Sequence, residues 1–278
     1  MSTDSSAQLQ REPEQKLPIS AFVITFNEED RLGPCLESLT FCEDLVVVDS
    51  YSTDRTLEIA ERYGARIFQR PWPGYREQKE FGLGCTKYEW VINIDADERV
   101  SDELRRSIVR VIQGSKQEAV GYYVNRVVFY LGRWWRLGGW YPEYRLRLFQ
   151  KSKVKWGGED PHERPEVDGA TLRLEGELQH YTYRSMSDQF QRLQAHSTAA
   201  AKTDFQRGRR FSVTKLIFSP ILRTCKFYIL KKGYREGVAG LIVAIAEGYY
   251  TFMKYAKLWE FEFDAAERAK YEKRKTLS

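Results

Sequence analysis

Glu89-Trp90-Val91-Ile92-Asn93-Ile94-Asp95-Ala96-Asp97-Glu98 is the stretch whose reading decides the fold. Apart from Asn93, the run from Trp90 to Ile94 is apolar, as a strand buried on both faces requires, and it stops in a cluster of carboxylates. Taken alone, the two aspartates have two readings. They are hard oxygen donors suited to Mg²⁺ or Mn²⁺, which bind one or two carboxylates together with waters and substrate phosphates. They are equally an acidic turn ahead of Ser101-Asp102-Glu103, a good helix start. The residues upstream decide between the two.

Upstream, strands and helices alternate as a parallel sheet demands. Ser20 to Thr25 is a short apolar strand, and Asn27 to Asp30 is expected to open a helix with acidic residues in its first turn. Leu45 to Val48 is a second buried strand ending at Asp49; Ser52, Thr53 and Asp54 offer N-caps for a helix closed by Gly64. Ala65 to Gln69 makes a third strand, Tyr75 to Lys87 a helix, and Glu89 to Ile94 a fourth strand. From Ala119 the texture changes. Ala119–Phe129, Glu143–Gln150 and Thr171–His180 read as strands joined by loops rich in Trp, Gly and Pro, an antiparallel extension of the sheet. Ser185-Met186-Ser187-Asp188 is a capping-box signature for a helix running to about Phe205, and Phe211 to Phe263 is helical, basic and aromatic. The predicted fold is α/β: a Rossmann-like mixed sheet, an antiparallel extension and a C-terminal helical region.

The bulk numbers narrow the class. The 278 residues carry 44 Lys+Arg against 39 Asp+Glu, a net charge of +5 concentrated beyond Arg126. Such an excess suits an anionic lipid surface or nucleic acid. Cys35, Cys42, Cys85 and Cys225 form no CxxC pair, which argues against a zinc site or disulfide framework. Residues 1–16 are polar, without the apolar core of a secretory signal, and are expected to be a disordered lead-in. No apolar run reaches the length of a membrane span, so a cytoplasmic protein is expected.

In an open α/β sheet, ligands bind beyond the carboxyl ends of the strands. Three strand ends carry polar groups: Thr25 to Glu28, Asp49 to Asp54, and Asp95 to Asp97. An accidental acidic turn would not need matching polar ends on neighbouring strands. The arrangement suits a nucleotide whose base and ribose lie over the first two strands and whose diphosphate reaches a metal at the third. Neither GxxxxGK[ST] nor GxGxxG is present, so a P-loop or dinucleotide fold is not supported.

Ser20-Ala21-Phe22-Val23-Ile24-Thr25-Phe26-Asn27-Glu28-Glu29, Val46-Val47-Val48-Asp49-Ser50-Tyr51-Ser52-Thr53-Asp54-Arg55-Thr56 and Asn93-Ile94-Asp95-Ala96-Asp97-Glu98 together resemble the family 2 glycosyltransferases of the GT-A fold. Trp140 to Phe149, Pro161-His162-Glu163 and Tyr249 to Glu260 resemble one branch, the bacterial lipopolysaccharide core β-glucosyltransferases that add glucose to an inner-core heptose. The resemblance implies an inverting, metal-dependent transferase with a UDP-sugar donor, probed first as UDP-glucose, and a lipid-linked saccharide acceptor. It implies a GT-A domain over 17–205, with a nucleotide-sugar half at 17–115 and an acceptor half at 116–205, followed by a tail over 206–278. Thr25, Asn27 and Glu28 would border base and ribose, Asp49 would accept from the uracil imide, Asp95 would touch the ribose or a metal-bound water, and Asp97 would ligate Mg²⁺ or Mn²⁺. Lys79 would counter the diphosphate; the plainer alternative is an exposed helix lysine.

An inverting transfer needs one base on the acceptor side. Gly157 to Glu163 is the best loop for it, and the base implied is Asp160 or Glu163, with His162 orienting it, ligating the metal or capping the loop. His180 ends a strand and either approaches the diphosphate or serves structure. Arg145 and Arg147 alternate on one strand face, for a phosphate or sugar acid or for an edge salt bridge. Trp134, Trp135, Trp140 and Tyr141 suit sugar stacking or packing equally. In the tail, Arg207 to Arg210, Lys215, Arg223, Lys226, Lys231, Lys232 and Arg235 interleave with Phe211, Ile217, Phe218, Ile221, Leu222 and Phe227. That pattern fits a helix on an anionic membrane at the inner face of the cytoplasmic membrane, or one packed on its own domain. Two other functions are kept open: a polyprenyl-phosphate sugar synthase, which needs no base, and a degenerate transferase or basic-tail nucleic-acid binder, for which no motif is present.

Overall fold

Alternating apolar side chains give the central strands two buried faces. Along β1 (Leu17–Thr25), Ile19, Ala21 and Val23 enter one core while Phe22 enters the other. The computed structural model describes residues 16–114, 118–158 and 163–275, with side chains to residue 265. The described residues form two compact units, one from 16 to 126 together with 143 to 180, the other from 127 to 142 together with 181 to 275.

The first unit begins with β1, α1 (Leu32–Glu37), β2 (Cys42–Asp49), α2 (Thr56–Arg62), β3 (Arg66–Gln69), α3 (Tyr75–Cys85) and β4 (Trp90–Asn93). The four strands pair in parallel in the order β3-β2-β1-β4. The register sets Thr25 beside Asp49 and Phe22 beside Asn93, so three strand ends meet at one edge. There follow β5 (Glu98–Val100), α4 (Asp102–Gln113), β6 (Gly121–Tyr130), β7 (Arg133–Trp135), β8 (Glu143–Gln150), β9 (Val154–Gly157), β10 (Arg164–Val167) and β11 (Thr171–His180). β8 pairs antiparallel with β4, matching Ile92 to Leu148, and β6 and β11 continue outward to β5, while β9 and β10 form a separate hairpin. The result is the expected mixed α/β sheet. On α3, a Cβ at Gly82 would come within 2.7 Å of the Phe22 ring, so the missing side chain lets that helix press onto the sheet.

Two local expectations change. No helix opens at Asn27; α1 starts at Leu32 with no acidic residue in its first turn. Asn27 instead turns the chain at φ 54, and the amides of Asn27, Glu28 and Glu29 donate to Ser52 Oγ, Thr56 Oγ1 and Asp54 Oδ2 at 2.8, 2.8 and 3.1 Å. Side chains from the next strand end thus satisfy the donors a helix would have left open. Ser52 and Thr53 accordingly do not cap α2, whose N-cap position is Arg55; Asp54 Oδ1 accepts from Thr56 N at 3.0 Å. The caps at α4 and α5 form as the sequence predicts: Ser101 Oγ accepts from Leu104 N, and Ser185 Oγ from Asp188 N.

The second unit holds the end of β6 with β7, then α5 (Met186–Gln206), α6 (Val213–Cys225) and α7 (Gly237–Lys275). Its core gathers Val128, Tyr130, Trp135, Phe227, Val243 and Ala244. Trp135 is fully buried and its indole N–H donates to Tyr130 O at 2.8 Å; Trp140 lies 5.2 Å from it and donates to Glu247 Oε1 at 3.1 Å. For these two tryptophans, packing wins over sugar stacking.

Candidate active site

Asp49, at the end of β2, is fully buried. It accepts from Thr25 Oγ1 at 3.2 Å, Ser52 N at 2.8 Å and Gln69 Nε2 at 3.1 Å, and from the Ser52 hydroxyl. A ligand donor at this carboxylate must displace one of them, and Gln69, exposed where Thr25 is buried and Ser52 half-buried, is the one open to displacement. Asn27 Oδ1 accepts from Thr53 N at 2.8 Å, locking the first two strand-end loops together. Phe26 and Tyr51 stand exposed beside them.

The β4–β5 turn holds the two aspartates among cations. Asp95 meets Arg147 at 2.6 Å through Oδ2 and Lys79 at 3.5 Å through Oδ1. Burial alone would raise its carboxyl, but Arg147 and then Lys79 overcome that and hold it well below the usual carboxylate range. Asp97 Oδ2 lies 3.4 Å from both His180 Nε2 and Arg31 Nη1. Against burial, and against the charge of Asp95, His180 and Arg31 keep the Asp97 carboxyl below its ordinary value. Arg147 also meets the fully buried Glu98 at 2.7 Å, and Arg126 links Glu98 to Glu143 at 3.2 and 2.7 Å. Buried charges are thus paired in a chain rather than stranded.

Lys79 is buried, and the exposed-lysine alternative falls. Its Nζ donates to Glu163 Oε1 at 2.8 Å, with the two side chains 7 % and 8 % exposed, and lies 5.4 Å from the Trp156 ring. A cavity of about 450 Å³ opens here, lined by residues that include Lys79, Asp95, Arg145, Arg147, Trp156 and Glu163. Three of those residues keep a buried polar atom that no group among the described residues satisfies: Glu163 Oε2, Arg147 Nε and Trp156 Nε1. One acceptor and two donors therefore face the needs of a polar ligand.

The structure brings together Lys79, Asp95, Arg145 and Glu163 around the cavity, sets Asp97 with His180 beside it, and groups Thr25, Asn27, Glu28 and Asp49 at the β1 and β2 ends. Arg145 is half exposed and paired with Glu143 at 2.5 Å, whereas Arg147, on the same strand, is buried. Asp160 and His162 lie outside the described residues. Arg31, Glu98, Arg126 and Trp156 were not singled out from sequence. Glu98 adjoins the Asp-Ala-Asp run, which was a usable signal, but the arginines are identified only by the pairing of distant strands.

Among the described residues no three His, Cys, Asp or Glu side chains group as a metal cage. The donor set nevertheless fits a hard divalent ion of the kind that takes one or two carboxylates and fills its shell with water and substrate phosphate. Asp97, whose contacts with Arg31 and His180 are long at 3.4 Å, can turn to such an ion more readily than Asp95, which Arg147 holds at 2.6 Å.

Among known proteins, the chain is 34 % identical over 258 residues to the lipopolysaccharide core biosynthesis glycosyltransferase LpsC of Rhizobium meliloti, covering 88 % of this chain and 93 % of that one. It is 29 % identical to an uncharacterised glycosyltransferase of Rickettsia typhi, covering 87 % of each. Among solved structures, TarS of S. aureus in complex with UDP-GlcNAc is 15 % identical over 84 % of this chain and 81 % of that one, with a TM-score of 0.45, too low to bear on function. The family model for glycosyl transferase family 2 matches residues 20–164, which contain all three strand ends and the cavity's lining apart from Pro165. The chain belongs to glycosyl transferase family 2.

Proposed function

We propose that this glycosyltransferase moves a sugar from a UDP-sugar, with UDP-glucose the first donor to test, onto an inner-core heptose of lipopolysaccharide, with inversion and dependence on Mg²⁺ or Mn²⁺. The carrying observation is the cavity in which Glu163 Oε2 is buried without a partner while its Oε1 is pinned by Lys79. A carboxylate fixed on one oxygen and open on the other is suited to receive a proton. The likeness to LpsC supports the choice of acceptor.

In this reading the accepting hydroxyl donates to Glu163 Oε2. As its oxygen bonds to the anomeric carbon from the face opposite the diphosphate, the proton passes to Glu163 and the bond to the diphosphate oxygen breaks. Asp160 remains the rival base. When bound at Asp97 and Asp95, a divalent cation would supply Lewis-acid stabilisation of the departing diphosphate. Lys79 and Arg147 lie beside Asp95 and add positive charge where negative charge develops. Asp49 would favour uridine by accepting from its imide once Gln69 moves aside, and Asn27 and Glu28 would border the ribose. An acceptor built on lipid would place the enzyme at the inner face of the cytoplasmic membrane.

A screen of UDP- and GDP-sugars with and without Mg²⁺ or Mn²⁺, read by released nucleotide, tests the donor and metal. Metal-dependent release of UDP, lost in Asp97→Asn with the fold intact, is expected. Turnover of GDP-sugars alone, or unchanged turnover in Asp97→Asn, overturns the assignment.

A further inference from the structure

Between Phe205 and Glu236 the chain carries nine lysines and arginines and no aspartate or glutamate. The same segment holds α6, in which no residue is buried. Val213, Ile217 and Ile221 recur every four residues, as do Phe218 and Leu222, and these five side chains are 51–67 % exposed. That spacing puts them on one broad side of the helix. One edge of that side meets α7: a Cβ at Gly248 of α7 would touch Thr224 and Pro220 of α6, so the helices pack together there and leave the rest of the side open. Ile229 and Leu230, just beyond α6, and Val238, Leu241 and Ile245 at the start of α7 are also exposed. A soluble protein rarely leaves so many large apolar side chains together in water.

We infer that this face of the second unit, α6 with residues 226–232 and the first turns of α7, docks on an anionic lipid surface, with Phe218 and Leu222 entering the acyl boundary. Charge selects the occupant. Lys215, Lys226, Lys231 and Lys232 are exposed around the apolar residues, and long lysine stems lie along an interface while their ammonium groups reach the phosphates. A second copy of the chain would bring the same positive charges face to face. Nucleic acid would use the lysines but leave the aliphatic side chains in water. No helix among the described residues is long and apolar enough to cross a membrane. The inference rests on the lipid-linked acceptor for its purpose but not for the binding itself, which needs neither donor nor acceptor.

The full-length protein is sedimented with phosphatidylcholine vesicles with and without phosphatidylglycerol, and its binding to a DNA duplex and its mass in solution are measured in parallel. Binding is expected to the anionic vesicles only and to weaken with salt. Phe218→Glu with Leu222→Glu should abolish it. Lys226→Gln with Lys231→Gln and Lys232→Gln should weaken it on the order of 100-fold, from about a factor of five per basic residue near the surface. Circular dichroism and UDP release from soluble donor should stay unchanged in both variants. Equal vesicle binding by wild type and variants, or none by wild type, overturns the inference. So does DNA binding lost in the lysine variant with no vesicle binding, or a dimer that the apolar variant dissociates. Loss of transfer with vesicle binding intact would instead count against the proposed reaction.

Discussion

Lys79→Met tests whether the cation between Glu163 and Asp95 holds the site together. The Lys79–Glu163 contact is 2.8 Å, and its side chains are 7 % and 8 % exposed, so both charges have left water and depend on each other. Removing one partner from a buried pair costs about 3–5 kcal/mol, because the other charge stays desolvated. Methionine keeps the volume of the lysine stem, so little of that cost comes from a cavity. Asp95 loses a 3.5 Å contact as well but retains Arg147 at 2.6 Å, so it adds little. With a urea slope of about 2–3 kcal/mol per molar, the unfolding midpoint of the first unit should fall by roughly 1–2.5 M. Glu163→Gln alone should cost less, since Lys79 keeps Asp95 and an amide oxygen. The double variant buries neither charge and should be more stable than Lys79→Met, giving a coupling of about 2–3 kcal/mol. Unfolding followed by circular dichroism and tryptophan fluorescence, with coincident transitions required, measures all four proteins. A Lys79→Met cost under about 1 kcal/mol, or strictly additive single effects, would refute a buried, mutually dependent pair.

The remaining predictions concern the same unit. Glu163→Gln should lower turnover by about 10²–10⁴-fold with little effect on donor binding; if Asp160→Asn does so instead, the base is Asp160. The folded carboxyl of Asp95 titrates below its unfolded value, so its contribution to stability is complete above about pH 5 and is lost as pH falls below ~4. The urea-midpoint gap between wild type and Asp95→Asn should therefore be constant from about pH 5 to 7 and narrow below ~4; a gap that widens in acid would reverse the sign. Gly176 in β11 has φ +88, and a Cβ there would collide with the Leu104 backbone nitrogen, so Gly176→Ala should cost about 1–3 kcal/mol or more in urea unfolding.

Much of the fold was legible because its signals are local. Apolar runs such as Val46–Val48 and Trp90–Ile94 are strands wherever they lie, and the polar residues that end them meet once the strands are parallel and in register. The caps at Ser101 and Ser185 were equally readable, since capping involves only the next three residues. The Asn27 helix was misread for the complementary reason. Its acidic residues matched a helix start, but the partners of its amides lie some 25 residues away on the next strand end, and they won.

By itself, then, the sequence determined the alternating sheet, the carboxylate-bearing strand ends and the family. Tertiary structure decided what surrounds those carboxylates. Arg147 reaches Asp95 across 52 residues only because β8 runs antiparallel beside β4, and Lys79 reaches Glu163 across 84 because α3 presses close to the sheet. A lysine between Gln78 and Glu80 reads as a solvent-facing helix residue, and a glutamate after a loop reads as exposed. Burial makes each the other's partner, and no local pattern encodes burial that distant segments create.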